Sequence, residues 1–513
     1  MDAFNGLLHG FEIALMPATL IAAIMGGILG TVVGILPGIG SSAAVALLLP
    51  LSYAMPPVAA LSMLAGVWYG STYGGIITSV LLNIPGEGDA VIATLDGFQM
   101  AKDGRGGVAL GVSALGGFFA GTVALIFLMY IGPTAAQLSL KFSPADFFAL
   151  MFMGLSLIIW LSGDDMAKAL ISAAIGLLIG SVGIDATSGQ ERLTFGSVEL
   201  LNGIDLVPVV IGLFGLGEAL TSLGEAEVTA APKKIKLGVR QLLPENAVEW
   251  LRTVKATIRG TVCGIVVGLL PGAGPTISTF VAYAVEKKSS REPQRFGKGA
   301  IEGVASPEAA SHSATIAGLV PLLSLGLPSS STAAVLLGGF LIHGLVPGPL
   351  LFRDHPDIVW GLIASLYIAN LFLLLLNTAL IPLLIWSLQA VKGILPPLIA
   401  VLVIIGAYSI RSSVFDVWLA VGFGLLGFVF RVLGVPLAPL IIALVPGPKA
   451  EIALRQSLVL SDGSFLTFVS DPWSAVMVVI AFFIFLQPAF RWARKSWEQQ
   501  APATAEYDAT TKP

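Results

Sequence analysis

The chain has 513 residues, 56% hydrophobic and 11% charged, with a mean hydropathy of +0.90 and a formal net charge of −4. Soluble domains carry about a quarter charged residues, so this composition excludes a soluble globular chain. The apolar runs are continuous and do not alternate as the strands of a transmembrane barrel would. A single cysteine, Cys263, excludes an internal disulfide and a cysteine metal cluster.

Residues 1–12 contain no Lys or Arg. They lack the basic start of a cleaved signal peptide, and Met1 is expected to be the mature start. A first span is expected from about Ile13 to Leu36, ending at Pro37-Gly38-Ile39-Gly40. A short apolar piece, Ala43–Leu51, closes at Met55-Pro56-Pro57. The next span, Val58–Leu82, runs into Asn83-Ile84-Pro85-Gly86-Glu87-Gly88-Asp89. After the polar turn Lys102–Arg105, further spans are expected at about Val108–Ile131, Ala145–Leu161, Met166–Val182 and Leu206–Leu220.

Residues 223–258 form the longest polar segment and carry Lys233, Lys234, Lys236, Arg240, Arg252 and Lys255. The positive-inside tendency makes this segment a basic cytoplasmic connector between a first half, 1–222, and a second half, 259–490. Residues 491–513 read as a cytoplasmic tail, and the N-terminus, free of basic residues, as periplasmic. A spanning helix needs roughly 20 apolar residues, which leaves room for about a dozen. The expected fold is therefore an all-α polytopic membrane protein.

The connector divides two copies of one pattern. Gly26, Gly30 and Gly34 are spaced by one helical turn before the Pro37 break, and Gly260, Gly264 and Gly268 precede Pro271-Gly272-Ala273-Gly274 in the same way. Each half carries a second break downstream, Asn83–Gly86 in the first and Gly326-Leu327-Pro328-Ser329 in the second. The first copy would enter the membrane from outside and the second, behind Arg259, from the cytoplasm. The expectation is two inverted repeats with broken helices and re-entrant hairpins, the build of secondary transporters, whose substrate sits where the breaks meet. Irregular backbone at membrane depth is tolerated only where it is buried or lines a cavity.

The small-xxx-small ladders also fit plain helix packing. The breaks carry more chemistry. Free N–H groups at a half-helix start suit a carboxylate, and freed carbonyls suit sodium. Candidate substrate-binding residues are Pro37, Gly38, Gly40, Ser41 and Ser42, then Asn83, Pro85 and Gly86. The second half contributes Pro271, Gly272, Gly274, Thr276, Pro328, Ser329, Ser330 and Ser331. Sodium would lie near Gly38, Gly40, Gly272 and Gly274. The hydroxyls fit helix N-capping equally well.

Coupling candidates are Glu87, Asp89, Glu308 and His312. Glu87 and Asp89 also read as solvated loop charges near Lys102 and Arg105, and that surface reading is the expectation. Ser306-Pro307-Glu308 has the pattern of a helix start, and His312 that of a structural histidine. No HExxH and no Walker A sequence is present, so neither catalysis nor ATP drive is expected. Nothing points to nucleic acid, and a gradient of sodium or protons is the expected energy source.

Several motifs in order, GILPGIG (34–40), GLLIGSVGIDATSGQERLTFG (176–196), GLLPGAGPT (268–276), ASPEAA (305–310), GLVPGP (344–349) and PLAPLIIALVPGPKAE (436–451), resemble the large permease subunit (TctA) of the bacterial tripartite tricarboxylate transporters. The resemblance implies a small four-helix membrane subunit and a periplasmic solute-binding protein as partners. It also implies uptake of citrate or another di- or tricarboxylate, driven by sodium in known cases, across the inner membrane. The alternatives are a stand-alone carboxylate symporter and a channel. Glu87-Gly88-Asp89, Ser311-His312, Ser329 and Ile76 depart from the usual family pattern, which puts citrate in question.

Overall fold

The computed structural model describes residues 3–36, 40–83, 85–161, 166–185, 188–222, 242–379 and 395–484. Pro37 and Gly38, most of the connector and the tail lie outside the described residues. A helix α1 (Ala3–Ala14) precedes the first expected span, which is α2 (Pro17–Ile35), the two parted at Leu15-Met16. Pro17 stands at the start of α2, where a missing N–H costs nothing. Then come α3 (Ser41–Ser52), α4 (Pro57–Leu82), α5 (Ala93–Lys102), α6 (Gly106–Ser139), α7 (Pro144–Leu161) and α8 (Met166–Gly180).

A two-stranded hairpin, β1 (Gly183–Ile184) with β2 (Glu191–Arg192), follows in antiparallel register with Gly183 opposite Arg192. The next apolar segment is α9 (Leu206–Val210), a π-helical turn at Ile211–Leu216 and α10 (Gly217–Ser222). Beyond it lie α11 (Ala247–Gly268), α12 (Gly274–Ser289), α13 (Glu302–Ala317), α14 (Leu319–Leu325), α15 (Ser331–Ile342), α16 (Leu351–Asp354) and α17 (Pro356–Ala379). The chain continues through α18 (Leu395–Arg411), α19 (Val414–Val432), α20 (Ala438–Leu444), α21 (Pro446–Leu460) and α22 (Thr467–Ser470).

Among the described residues, α2, α6, α17 and α19 are the four helices long and apolar enough to cross a bilayer by length and composition. Shorter apolar helices include α3, α7, α8 and α15. With 34 residues, α6 is about 51 Å long at the helical rise per residue, more than the hydrocarbon core. α11 begins at Ala247, capped by the Asn246 side chain, so it starts inside the segment read as a connector.

The glycine ladders bring helix backbones into direct contact. α2 lies along α4, and a Cβ added at Gly26, Gly30 or Gly34 would overlap the carbonyls of Met63, Val67 and Ser71. Gly70 and Gly74 of α4 face the Gly27 and Thr31 carbonyls of α2 in return. The pair α11 and α13 repeats this, with Gly260, Gly264 and Gly268 against Ser306, Ala310 and Ala314. Only small residues let membrane helices approach backbone to backbone.

The two segments then interlock, because α6 packs along α13 while α17 packs along α4. A second tie is Asp96 of α5, fully buried. Its carboxylate accepts from the Gly297, Gly299 and Ala300 N–H groups at 2.8–2.9 Å and from the Tyr283 hydroxyl at 2.9 Å.

Ser306-Pro307-Glu308 does not start a helix. Pro307 lies inside α13, which begins at Glu302. The proline removes one backbone hydrogen bond, but every residue of α13 is buried. Packing against α11, α12 and α6 holds the helix through that position.

Candidate substrate and ion site

The four breaks come together. At the first, Gly40 is the extended N-cap residue of α3, and Ser41 opens the helix. The Ser41 hydroxyl pairs at 2.8 Å with that of Thr332, in the first turn of α15 beyond the fourth break. At the second, α4 ends on Asn83 in the left-handed region (φ 58°), exposed, with its N–H on the Thr78 carbonyl. Pro85 is half-buried, and Gly86 is wedged against the Gly34 carbonyl and Gly75.

Gly88 backs onto the third break, where an added Cβ would come within 3.1 Å of Thr276 Oγ1. There the chain turns through Gly272 (φ 79°) and Gly274 (φ 57°) behind a buried Pro271. Gly274 in turn faces the fourth break, since its Cβ would lie 3.1 Å from Ser330 Cβ. That break opens with Gly326 (φ 68°) closing α14 and Pro328 buried. Break one thus touches four, four touches three, and three touches two.

The hydroxyls divide by role. Ser330 is the N-cap of α15, its Oγ accepting from the Ala333 N–H at 3.1 Å. Ser329 is fully buried, and its Oγ has no hydrogen-bond partner among the described residues. Ser42 and Ser331 are half-buried and Thr276 is exposed.

The acids lie deeper than their sequence implied. The surface expectation for Glu87 and Asp89 is overturned: Asp89 is 6% exposed, and its Oδ2 accepts from the Ser311 hydroxyl at 2.5 Å. Its Oδ1 has no partner among the described residues. Glu87 accepts from the Ser71 hydroxyl and faces Ser41. The segment folds inward because Gly86 can slip between the ends of α2 and α4, carrying the next three residues toward α13. Glu308, also buried, accepts from Ser113 of α6 at 3.0 Å and feels the charge of Asp89. Among the described residues, hydroxyls and no cation hold these three carboxylates.

His312 is fully buried beside Tyr73 (ring centroids 4.1 Å apart) and Tyr69 (5.5 Å), a packed aromatic box. Neither ring nitrogen has a partner among the described residues. Next to it lies a network that reading the sequence missed. Asn370 of α17 accepts from the Tyr69 and Tyr73 hydroxyls at 2.8 and 3.2 Å. It donates to the Phe118 carbonyl and Thr122 Oγ1 of α6 at 3.1 and 3.0 Å. An asparagine inside an apolar span was the available signal, since a polar group there needs partners.

Broken helices meeting at buried hydroxyls and carboxylates, inside a multi-pass helical membrane protein, define the class of membrane transport proteins. Within that class, the family model described as "Tripartite tricarboxylate transporter TctA family" matches residues 20–442, and the chain belongs to that family. It is therefore a component of a transporter. Two curated relatives from Agrobacterium vitis accompany this match. One, an uncharacterized 52.8 kDa protein in the TAR-I ttuC' 3' region, is 40% identical over 482 residues, 94% of this chain and 95% of the relative. The other, an uncharacterized protein in the TAR-II ttuC' 3' region, is 38% identical over 221 residues, 42% of this chain and 91% of the relative. No solved structure matches the chain.

Proposed function

We propose that this chain is the permease of a tripartite system in the bacterial inner membrane, importing a di- or tricarboxylate by cation-coupled alternating access. The meeting of the four helix breaks carries this reading. The starts of α3, α12 and α15 offer free N–H groups, and Ser41, Ser42, Thr276, Ser329, Ser330 and Ser331 add hydroxyls, a donor set suited to a carboxylate. Carbonyls at Gly38, Gly40, Gly272 and Gly274 are the proposed sodium ligands. Glu87, Asp89 and Glu308 are acids at membrane depth with no cationic partner among the described residues, which favours their occupation by sodium or protons during transport. Two added acids also favour a substrate less anionic than citrate.

Orientation follows from the basic residues. Lys287, Lys288, Arg291, Arg295 and Lys298 trail α12, and Arg105 joins Glu245 and Glu249 beside the start of α11. This end is the cytoplasmic one by the positive-inside tendency. α1 and residues 343–355 then face the periplasm, and the tail the cytoplasm. The segments 1–222 and 259–490 become inverted halves in about a dozen crossings, with α2–α3 and α11–α12 as re-entrant hairpins. An elevator-like movement of the hairpins is part of the proposal.

Delivery by a periplasmic binding protein and completion by a small four-helix membrane subunit are the remaining parts. The test is uptake into proteoliposomes holding all three proteins, with acetate, succinate and citrate offered under a sodium or a proton gradient. Uptake that needs the binding protein and one gradient is the expected result. Uptake without the binding protein would favour a stand-alone symporter, and flux without saturation would favour a channel. Absence of carboxylate uptake would overturn the reading.

A further inference from the structure

A cavity of about 650 Å³ lies outside the meeting point of the breaks, within the size range of ligand sites. Its walls are the α6–α7 turn (Phe142), the start of α7 (Phe147), the loop through Pro347 and Pro349, and the first turns of α21. The walls are mostly apolar, with one ammonium, that of Lys449. Lys449 is half-buried and forms no ion pair or hydrogen bond among the described residues. The half-buried arginines differ: Arg105, Arg192 and Arg431 each meet a carboxylate.

The other titratable groups facing the cavity do not satisfy Lys449. Asp354 is held by Arg353 at 2.8 Å, and His355 and Gln456 carry no negative charge. A cation drawn out of water without a counter-charge is costly, and an entering carboxylate would remove that cost.

The position of the ammonium gives the cavity a direction. Lys449 Nζ sits over Gly326, where an added Cβ would come within 3.2 Å of it. Gly326 is the left-handed residue that opens the fourth break, followed by Pro328, Ser329 and Ser330. The missing side chain lets the ammonium reach the backbone there. The cavity also lies at the Ser139 end of α6, the far end from Arg105 and the basic residues around it. It therefore opens on the face assigned above to the periplasm.

We propose that Lys449 is the cation of a carboxylate-accepting vestibule, where a small organic anion docks before it passes Gly326 toward the meeting point of the breaks. This rests on the carboxylate permease reading. The test uses the full chain with its two partners in proteoliposomes. Lys449→Gln should raise the KM for the carboxylate that the wild type carries, succinate or citrate, by about tenfold or more, since a charge-assisted hydrogen bond is lost. Its maximal rate should stay within about twofold if the site serves entry only. Lys449→Arg should restore most of the affinity.

A second readout does not depend on turnover. Lys449→Cys in a Cys263→Ala background should react with an anionic thiol reagent added outside, and the same carboxylate should protect it. An unchanged KM in Lys449→Gln, or labelling that the carboxylate does not slow, would overturn the vestibule while leaving the permease reading intact. Wild-type protein that takes up no carboxylate would end both.

Discussion

The α2–α6 and α11–α17 segments make the same backbone contact with different materials. In the first, glycines stand on both helices, Gly30 against Val67 on one side and Gly70 against Gly27 on the other. In the second, glycines stand on α11 alone, and α13 answers with Ser306, Ala310 and Ala314. The breaks differ more. At its second break the α2–α6 segment brings acids, Glu87 and Asp89, while at the corresponding break the α11–α17 segment brings hydroxyls, Ser329 to Thr332. The ladder is thus a shared support that tolerates substitution only by small residues, and the break is where side-chain chemistry is free to change.

The most severe way to break this comparison is to fill a ladder. Gly30→Leu and Gly264→Leu each drive a side chain into a facing carbonyl, and a loss of about 3 kcal/mol or more of stability, or no folded protein, is expected. Gly422, with nothing within 4 Å of an added Cβ, is the control. Gly422→Ala should change stability by no more than about 1 kcal/mol. Melting of the detergent-solubilised proteins decides it, and a Gly30→Leu protein as stable as wild type would refute the shared-support view.

A milder change sharpens the contrast at the breaks. Glu87→Gln and Asp89→Asn remove charge from a site with no cationic side chain among the described residues, so the folded protein should be as stable as wild type or more so. Transport should nevertheless fall on the order of tenfold and lose part of its dependence on the driving ion. Unaltered ion dependence in both variants would mean that the acids are structural.

The smallest effect lies where α1 meets the start of α17. His9 Nε2 is 3.0 Å from Asp357, and that hydrogen bond, helped by Glu12, raises the histidine above its ordinary value of 6.5. A raised histidine stabilises the fold fully below its unfolded pKa, and the contribution is lost as pH rises through the higher folded pKa. The window therefore runs from about pH 6.5 upward. Titration followed by NMR should place His9 above 6.5, and Asp357→Asn should bring it down.

The ladders, all four breaks and their meeting were legible in the chain, because one-turn glycine spacing and Pro-Gly pairs have few other uses in an apolar helix. The depth of Glu87 and Asp89 was not, since Pro85–Asp89 reads the same in water or between helices. Only the fit of Gly86 against Gly34 decides it. Pro307 misled for a related reason: its local pattern favours a helix start, and tertiary packing overrides it. The Tyr69–Tyr73–Asn370 network joins residues about 300 positions apart, and no local pattern pairs them.

Asp96 sets a mechanical limit on any such machine. To part α5 from residues 297–300, three hydrogen bonds to one buried carboxylate must open together, each on the order of 1.5–3 kcal/mol, while a fourth ties the same group to Tyr283 of α12. That junction behaves as a rivet, so α5 and the stretch leading into α13 travel as one rigid piece. Sliding has to take place on surfaces without such a fastening.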